Sequence, residues 1–234
     1  PIFTFLQFSK IHTVTVSEIL KKYEWNDEKF YKNKEKNLED YDLVFSDAAK
    51  YAKKMYSTIK SLGKLNETII IFFADHGTGV GERFGERNYG LYTFEETIKT
   101  FYLFIGPKIR KDVVCNKLLS SIDMYPTILD LGKVSHKRET KNISNYIFKD
   151  KENIKEDYTY TETGGLQGPH PSPKKPNVFC IKLKNFKLIY FNSTNEWNLF
   201  DLITDTKEEN NIYGSGLKIE KELKEKLLEW INRK

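Results

Sequence analysis

The sequence predicts an α/β fold: a partial, mostly parallel sheet sandwiched by helices, followed by a small antiparallel sheet and a C-terminal helix. Three observations predict it. Continuous apolar runs bounded by polar residues stand at Ile2 to Phe8, Thr68 to Ala74 and Phe101 to Ile105, the pattern of strands buried on both faces. A long amphipathic stretch lies between the first two runs, and strand, helix, strand in that order implies a parallel sheet with helical cover. Beyond residue 158, four short runs rich in aromatic and β-branched residues are separated by turn residues, as in an antiparallel meander.

The first crossover helix is expected from Leu38 to Leu62. Tyr41, Val44, Phe45, Ala48, Ala52, Met55, Ile59 and Leu62 fall on one stripe, and Gly63 stands just past the end. A second helix is expected from Leu118 to Leu131, with Pro126 in a first turn opened by Asp123 and Gly132 as terminator. Residues 136–157 are rich in Lys, Glu and Asn, as in a solvated crossing segment, and mark a boundary between two domains, 1–157 and 158–234. Strands are expected at Tyr158 to Glu162, Val178 to Leu183, Phe186 to Phe191 and Trp197 to Leu202. Lys184-Asn185 and Asn192 to Asn195 form the turns, and a closing helix runs from Leu217 to Ile231. The first run begins at once at the N-terminus, as in a chain cut from something longer, and a sheet missing strands is expected to expose an edge and an apolar face.

Composition narrows the function classes. Of the 234 residues, 38 are Lys or Arg and 33 Asp or Glu; the resulting +5 is spread over interleaved signs, which argues against a nucleic-acid surface. No run of 18 apolar residues is present, so no membrane span is expected. Two cysteines, Cys115 and Cys180, without a CxxC pair, form neither a disulfide scaffold nor a thiolate zinc site.

Four segments offer chemistry. The run 68–74 leads straight into Asp75-His76-Gly77, and ligand sites in open α/β sheets lie beyond the carboxyl ends of strands. Asp75 and His76 are one hard oxygen and one nitrogen donor, and Gly77 permits the sharp turn that lets both reach one ion; the alternative is a turn that only caps the strand. His12, four residues past the end of another expected strand, is either a donor or general acid at the same sheet edge or a surface loop histidine. The segment 77–90 is glycine-rich, and its Arg83 and Arg87 either pair with sulfate or phosphate oxygens or are neutralised by Glu82 and Glu86. His170, within Gly168-Pro169-His170-Pro171, sits in a proline-rigid loop that either overhangs a cleft or stands exposed.

In order along the chain, these segments resemble the C-terminal half of a sulfatase of the alkaline-phosphatase-like superfamily. Ile2 to Phe8 followed by His12-Thr13 is similar to the family's apolar strand with a His-Thr pair, and Tyr41-Asp42 through Ser46-Asp47 to the helix that follows. Thr68 to Gly77 is similar to its strand ending in Asp-His-Gly, and Phe94-Glu95-Glu96-Thr97 with Phe101 to Pro107 to its Leu-Tyr-Glu-Glu turn and next strand. Ser121 to Thr127 is similar to its Asp-x-x-Pro-Thr helix start. Lys187 to Tyr190, Asn198 to Leu202, and Asp205, Glu208 and Asn211-Ile212 are similar to its terminal sheet and acidic tail.

The resemblance implies a sulfuric ester hydrolase acting on small anionic esters through one divalent cation, calcium first and Mg2+ or Mn2+ as alternatives. It implies metal ligation by Asp75 and His76, contact of His12 with the sulfate ester, and a formylglycine nucleophile made within Cys/Ser-x-Pro-x-Arg. That motif is absent from the 234 residues, and the family places it, with two further Asp ligands, upstream of the region matched here. The chain alone is therefore expected to hold half a metal shell and to be inactive. The family's substrate-binding Lys falls at the spacing of Asn88, with Arg87 beside it, so these two residues are the substrate-binding candidates along with His12 and His170. The missing Lys keeps a phosphodiesterase or phosphonate-ester hydrolase of the same superfamily as an alternative, and the missing nucleophile a non-catalytic anion-binding remnant. A two-zinc phosphatase would need a further metal-binding His, and His136 and His170 are poorly placed for it.

Overall fold

A computed structural model describes residues 2–9, 11, 27–135, 137, 143–148, 158–164 and 176–233. The chain divides into two compact units, Pro1–Tyr89 with Lys99–Ile109, and Gly90–Ile98 with Arg110–Lys234. The domain boundary expected after residue 157 falls at residues 149–157, outside the described residues.

In the first unit, helix α1 (Glu28–Lys32) is opened by Asp27, whose carboxylate accepts the Lys29 and Phe30 N–H groups at 3.1 and 3.3 Å. Helix α2 (Lys34–Ser61) starts a turn earlier than the apolar stripe suggests, because its first turns are held by charge: Lys36 pairs with Asp40 at 2.8 Å. It ends as expected, with Gly63 at φ 69° and the Lys64 N–H donated to the Ile59 carbonyl at 3.0 Å. Strand β1 (Ile70–Phe73) pairs with β2 (Tyr102–Ile105), from Ile70 opposite Ile105 to Phe73 opposite Tyr102. Gly106 lies where a Cβ would come 3.0 Å from the Thr68 carbonyl oxygen, so this close approach of backbone to backbone needs a glycine.

Two expectations are corrected here. The β1–β2 pairing is antiparallel, and no parallel pairing occurs among the described residues. A parallel return needs a crossover helix; the connection from Phe73 to Tyr102 holds only the four-residue helix α3 (Glu95–Ile98), so the chain comes back alongside itself. Residues 2–8, expected as a buried strand, are not paired into a sheet; Ile2, Phe3, Phe5 and Leu6 are exposed. Apolar content alone does not make a strand without a neighbour to share its hydrogen bonds. Phe5 and Phe8 make aromatic contacts with Phe73 and Tyr51.

The second unit is built on a four-stranded antiparallel sheet in sequence order: β3 (Thr159–Thr163), β4 (Val178–Leu183), β5 (Phe186–Phe191) and β6 (Glu196–Asp201). Lys184 and Asn195 take up the left-handed conformation that the two tight turns require. On one face, helix α6 (Lys218–Asn232), the last helix of the chain, lays Leu223 and Leu227 against Ile181, Leu188 and Leu199, all fully buried. On the other face Val178, Cys180, Ile189, Phe191 and Phe200 pack around Phe94. Complete burial of each large aliphatic side chain is worth about 1.5–3 kcal/mol, so this sheet holds the deepest hydrophobic stabilisation described. An aromatic row, Phe179, Tyr190, Trp197 and Tyr213, stacks beside the α6 contact, with the Lys224 ammonium over Trp197.

The remaining helices differ in part from expectation. A 3-10 turn (Ser121–Asp123) leads into α4 (Met124–Leu131), and the Asp123 carboxylate accepts the Ser120 N–H at 2.9 Å in a capping box. Pro126 is the third residue of α4, inside the first turn as expected, while residues 118–120 are not helical. A short helix, α5 (Ser144–Phe148), stands where a solvated loop was expected, and Ile143 and Ile147 bury one apolar edge.

Candidate active site

Strand β1 ends at Phe73, and Asp75 and His76 emerge beyond its carboxyl end. The Asp75 carboxylate accepts the His76 backbone N–H at 3.0 Å, which folds the acid back toward the imidazole. His76 Nδ1 lies 2.7 Å from the Gly77 carbonyl oxygen. A carbonyl oxygen only accepts, so Nδ1 carries the proton and Nε2 presents its lone pair. That nitrogen stands 3.8 Å from Asp75 Oδ1. Two ligands each about 2.4 Å from one calcium-sized ion are roughly 3.4–3.9 Å apart at angles between square and tetrahedral. The pair thus fits a shared divalent cation, with the second ring nitrogen tied to a carbonyl as metal-bound histidines are. Among the described residues, no group of three or more His, Cys, Asp or Glu could hold an ion, so no complete shell is assembled there.

The loop that follows is fixed by its own hydrogen bonds. Gly79 and Asn88 exchange backbone bonds in both directions, with Asn88 at φ 73°. The Glu82 carboxylate accepts the Val80 N–H at 2.7 Å, and the Asn37 amide donates to the Val80 carbonyl at 2.9 Å. Arg87 donates to Asp27 Oδ2 at 3.1 Å and lies over the Phe30 ring at 4.7 Å. This anchors the loop to the start of α1. Asn88 is buried, its side-chain oxygen lacking a hydrogen-bond partner. Tyr89 returns against His76, the two ring centroids 3.8 Å apart. Of the sequence-predicted residues, Asp75 and His76 are brought together, and Arg87 and Asn88 stand in the loop that returns to them. His12 and His170 lie outside the described residues.

A second cluster of charge lies buried in the second unit. Lys187, fully inaccessible, pairs with Glu208 at 2.8 Å and Glu95 at 3.2 Å; Glu95 also meets Lys182 at 2.8 Å, and its backbone N–H donates to Glu208 Oε2 at 2.7 Å. Burial works against the Glu95 charge, but Lys187 and Lys182 outweigh it and hold the carboxyl below the ordinary range. Burial raises Glu208, and pushes the neighbouring Cys180 thiol up to about 12. Two lysines balance two glutamates here, with no route to substrate described, so the cluster joins the 94–98 segment to the sheet. Its signal in the sequence is the strand's period of two: Lys187 shares a face with Ile189 and Phe191.

Comparison with known proteins places the chain in a family. The family profile described as Sulfatase matches residues 1–134, and that described as N-sulphoglucosamine sulphohydrolase, C-terminal, matches residues 87–233. The chain belongs to the sulfatase family. It is 28% identical to an arylsulfatase of Clostridium perfringens over 161 residues, covering 67% of this chain and 32% of that protein. It is 26% identical over 186 residues to an N-acetylglucosamine-6-O-sulfatase of Bacteroides thetaiotaomicron, covering 75% of this chain and 32% of that one. The chain therefore spans about a third of the length of these curated sulfatases. Among solved structures, BT4656 in complex with its substrate D-glucosamine-2-N,6-O-disulfate superposes with a TM-score of 0.65 at 24% identity, covering 76% of this chain and 36% of that one. The phosphonate monoester hydrolase of Silicibacter pomeroyi superposes at 0.62 and 18% identity, covering 77% and 37%. The α/β class with a terminal antiparallel sheet and helix is thus the sulfatase fold, and no helix among the described residues is long and apolar enough to cross a membrane.

Proposed function

We propose that this chain is the C-terminal portion of a hydrolase of sulfate esters, in which Asp75 and His76 supply part of the shell of one divalent cation, calcium first. The observation that carries the proposal is the Asp75 Oδ1 to His76 Nε2 approach at the carboxyl end of β1, in a chain of this family. A bound dication would neutralise ester oxygens and polarise the sulfur centre. The chain's own residues do the rest: Gly77 accepts the Nδ1 proton and so directs Nε2, and the Asp75 main-chain bond holds its carboxylate on the same side. The nucleophile and the remaining ion ligands lie outside these 234 residues, so the isolated chain holds the ion weakly and does not turn over substrate.

Asn88 at the spacing of the family's lysine favours a second reading, an ester hydrolase for phosphonates or phosphodiesters; the Silicibacter pomeroyi neighbour is named for the first of these, phosphonate monoester hydrolysis. Sequencing the source nucleic acid upstream of the Pro1 codon tests the proposal. An open frame with Cys/Ser-x-Pro-x-Arg and paired aspartates is expected, and the protein it encodes should cleave an aryl sulfate faster than a phenylphosphonate ester, with Asp75→Ala and His76→Ala losing both activities. Reversed preference moves the protein to the second reading. A start codon just before Pro1, or robust turnover by the 234-residue chain, overturns the proposal; the former leaves an anion-binding remnant.

A further inference from the structure

We propose that Tyr89 is the positioning residue that holds His76 in its ligating orientation. This rests on the reading of Asp75 and His76 as ion ligands. The hydrogen bond from Nδ1 to the adjacent Gly77 carbonyl, at 2.7 Å, keeps the proton on that nitrogen only while the ring holds its orientation, and a single contact leaves the ring free to rock. The Tyr89 ring supplies a second restraint, at 3.8 Å between centroids and tilted by 38°. An imidazole caught between a carbonyl on one nitrogen and an aromatic face keeps Nε2 toward Asp75 Oδ1.

Tyr89 reaches this place through backbone geometry. Gly79 and Asn88 close the loop with a reciprocal pair of hydrogen bonds, and the left-handed φ of Asn88 turns the chain so that the next residue comes back over His76. Asp27 holds Arg87, the residue before that turn, and Asn37 holds Val80, the residue after Gly79. Tyr89 itself is 39% exposed, so its ring can be changed without emptying a core.

The test compares Tyr89→Phe, which keeps the ring, with Tyr89→Leu, which removes it. Imidazole nitrogen NMR at mildly alkaline pH, with His76→Gln to assign the signals, reads the tautomer directly. The wild type and Tyr89→Phe are expected to show one Nδ1–H tautomer and ring-current-shifted carbon-bound protons on His76. Tyr89→Leu is expected to lose both, while the amide signals of the antiparallel sheet stay unchanged. Mn2+ is then titrated as a paramagnetic probe, and broadening of the Asp75 and His76 signals should need about tenfold more Mn2+ in Tyr89→Leu. An unchanged tautomer in Tyr89→Leu, or equal Mn2+ response in both proteins, overturns the role of Tyr89. If Mn2+ leaves Asp75 and His76 of the wild type sharp, the ion-ligand reading falls instead, and the tautomer comparison still decides whether Tyr89 orients the ring.

Discussion

The two units solve the problem of holding a shape by different means. In the second, the sheet is covered on both faces, and Val178, Ile181, Leu188, Ile189, Leu199, Leu223 and Leu227 are wholly withdrawn from water. In the first, a helix of 28 residues fully buries only Val44, and Phe45, Phe73, Phe101 and Leu103 stay at least 42% exposed. The Asp75–His76 pair belongs to the first. Its geometry is therefore set by short-range hydrogen bonds and ring contacts instead of by a deep core. The region that holds the proposed ion ligands is the one with least packing of its own, the usual economy of sites that need loops.

The largest effect expected is at the buried charges. Lys187→Ala leaves two carboxylates without their shared cation and should cost about 3–5 kcal/mol in urea unfolding followed by tryptophan fluorescence. A loss under about 1 kcal/mol would mean the second unit does not depend on the cluster. Core truncation comes next and sets the units side by side: Leu223→Ala should cost about 2–5 kcal/mol, and Leu103→Ala, half-exposed, no more than about 0.5 kcal/mol. Equal costs would erase the contrast. The Asp27→Ala cap should cost about 1 kcal/mol and speed amide exchange in the 77–90 loop, since Arg87 loses its anchor as well.

The smallest effects are in pH dependence. Glu95 is held below its ordinary value near 4.5, so its contribution is present above that value and lost as the pH falls; Glu95→Gln should flatten the acid limb. Glu208 is raised, so its contribution runs the other way, and Glu208→Gln should steepen that limb. Cys180, pushed from about 9 to about 12, contributes stability that is complete below pH 9 and fades as the pH climbs toward 12; Cys180→Ala should remove that part of the alkaline decline.

Much of this was legible in the residues themselves. The hairpin from Val178 to Phe191 could be placed without error because each strand alternates between two buried faces, and Lys184-Asn185 is a turn by its chemistry. Asp75-His76-Gly77 was visible because a continuous apolar run leads straight into it, although in the structure only Ile70 of that strand is buried. What stayed hidden depended on partners. The polarity of β2 is not written in its apolar run, residues 2–8 needed a neighbour to become a strand, and the Ile143–Ile147 edge of α5 was masked by surrounding Lys and Asn. The contact of Tyr89 with His76 hung on one backbone angle at Asn88, which composition does not display.

That angle also limits what the protein can become. A lysine at position 88 would have to take φ 73° at a cost of roughly 1 kcal/mol that asparagine largely escapes, a cost the chain already bears at Lys108, Lys133 and Lys184. Glycine and aspartate are the substitutions expected to keep φ 73° and the Gly79–Asn88 bridge at least cost.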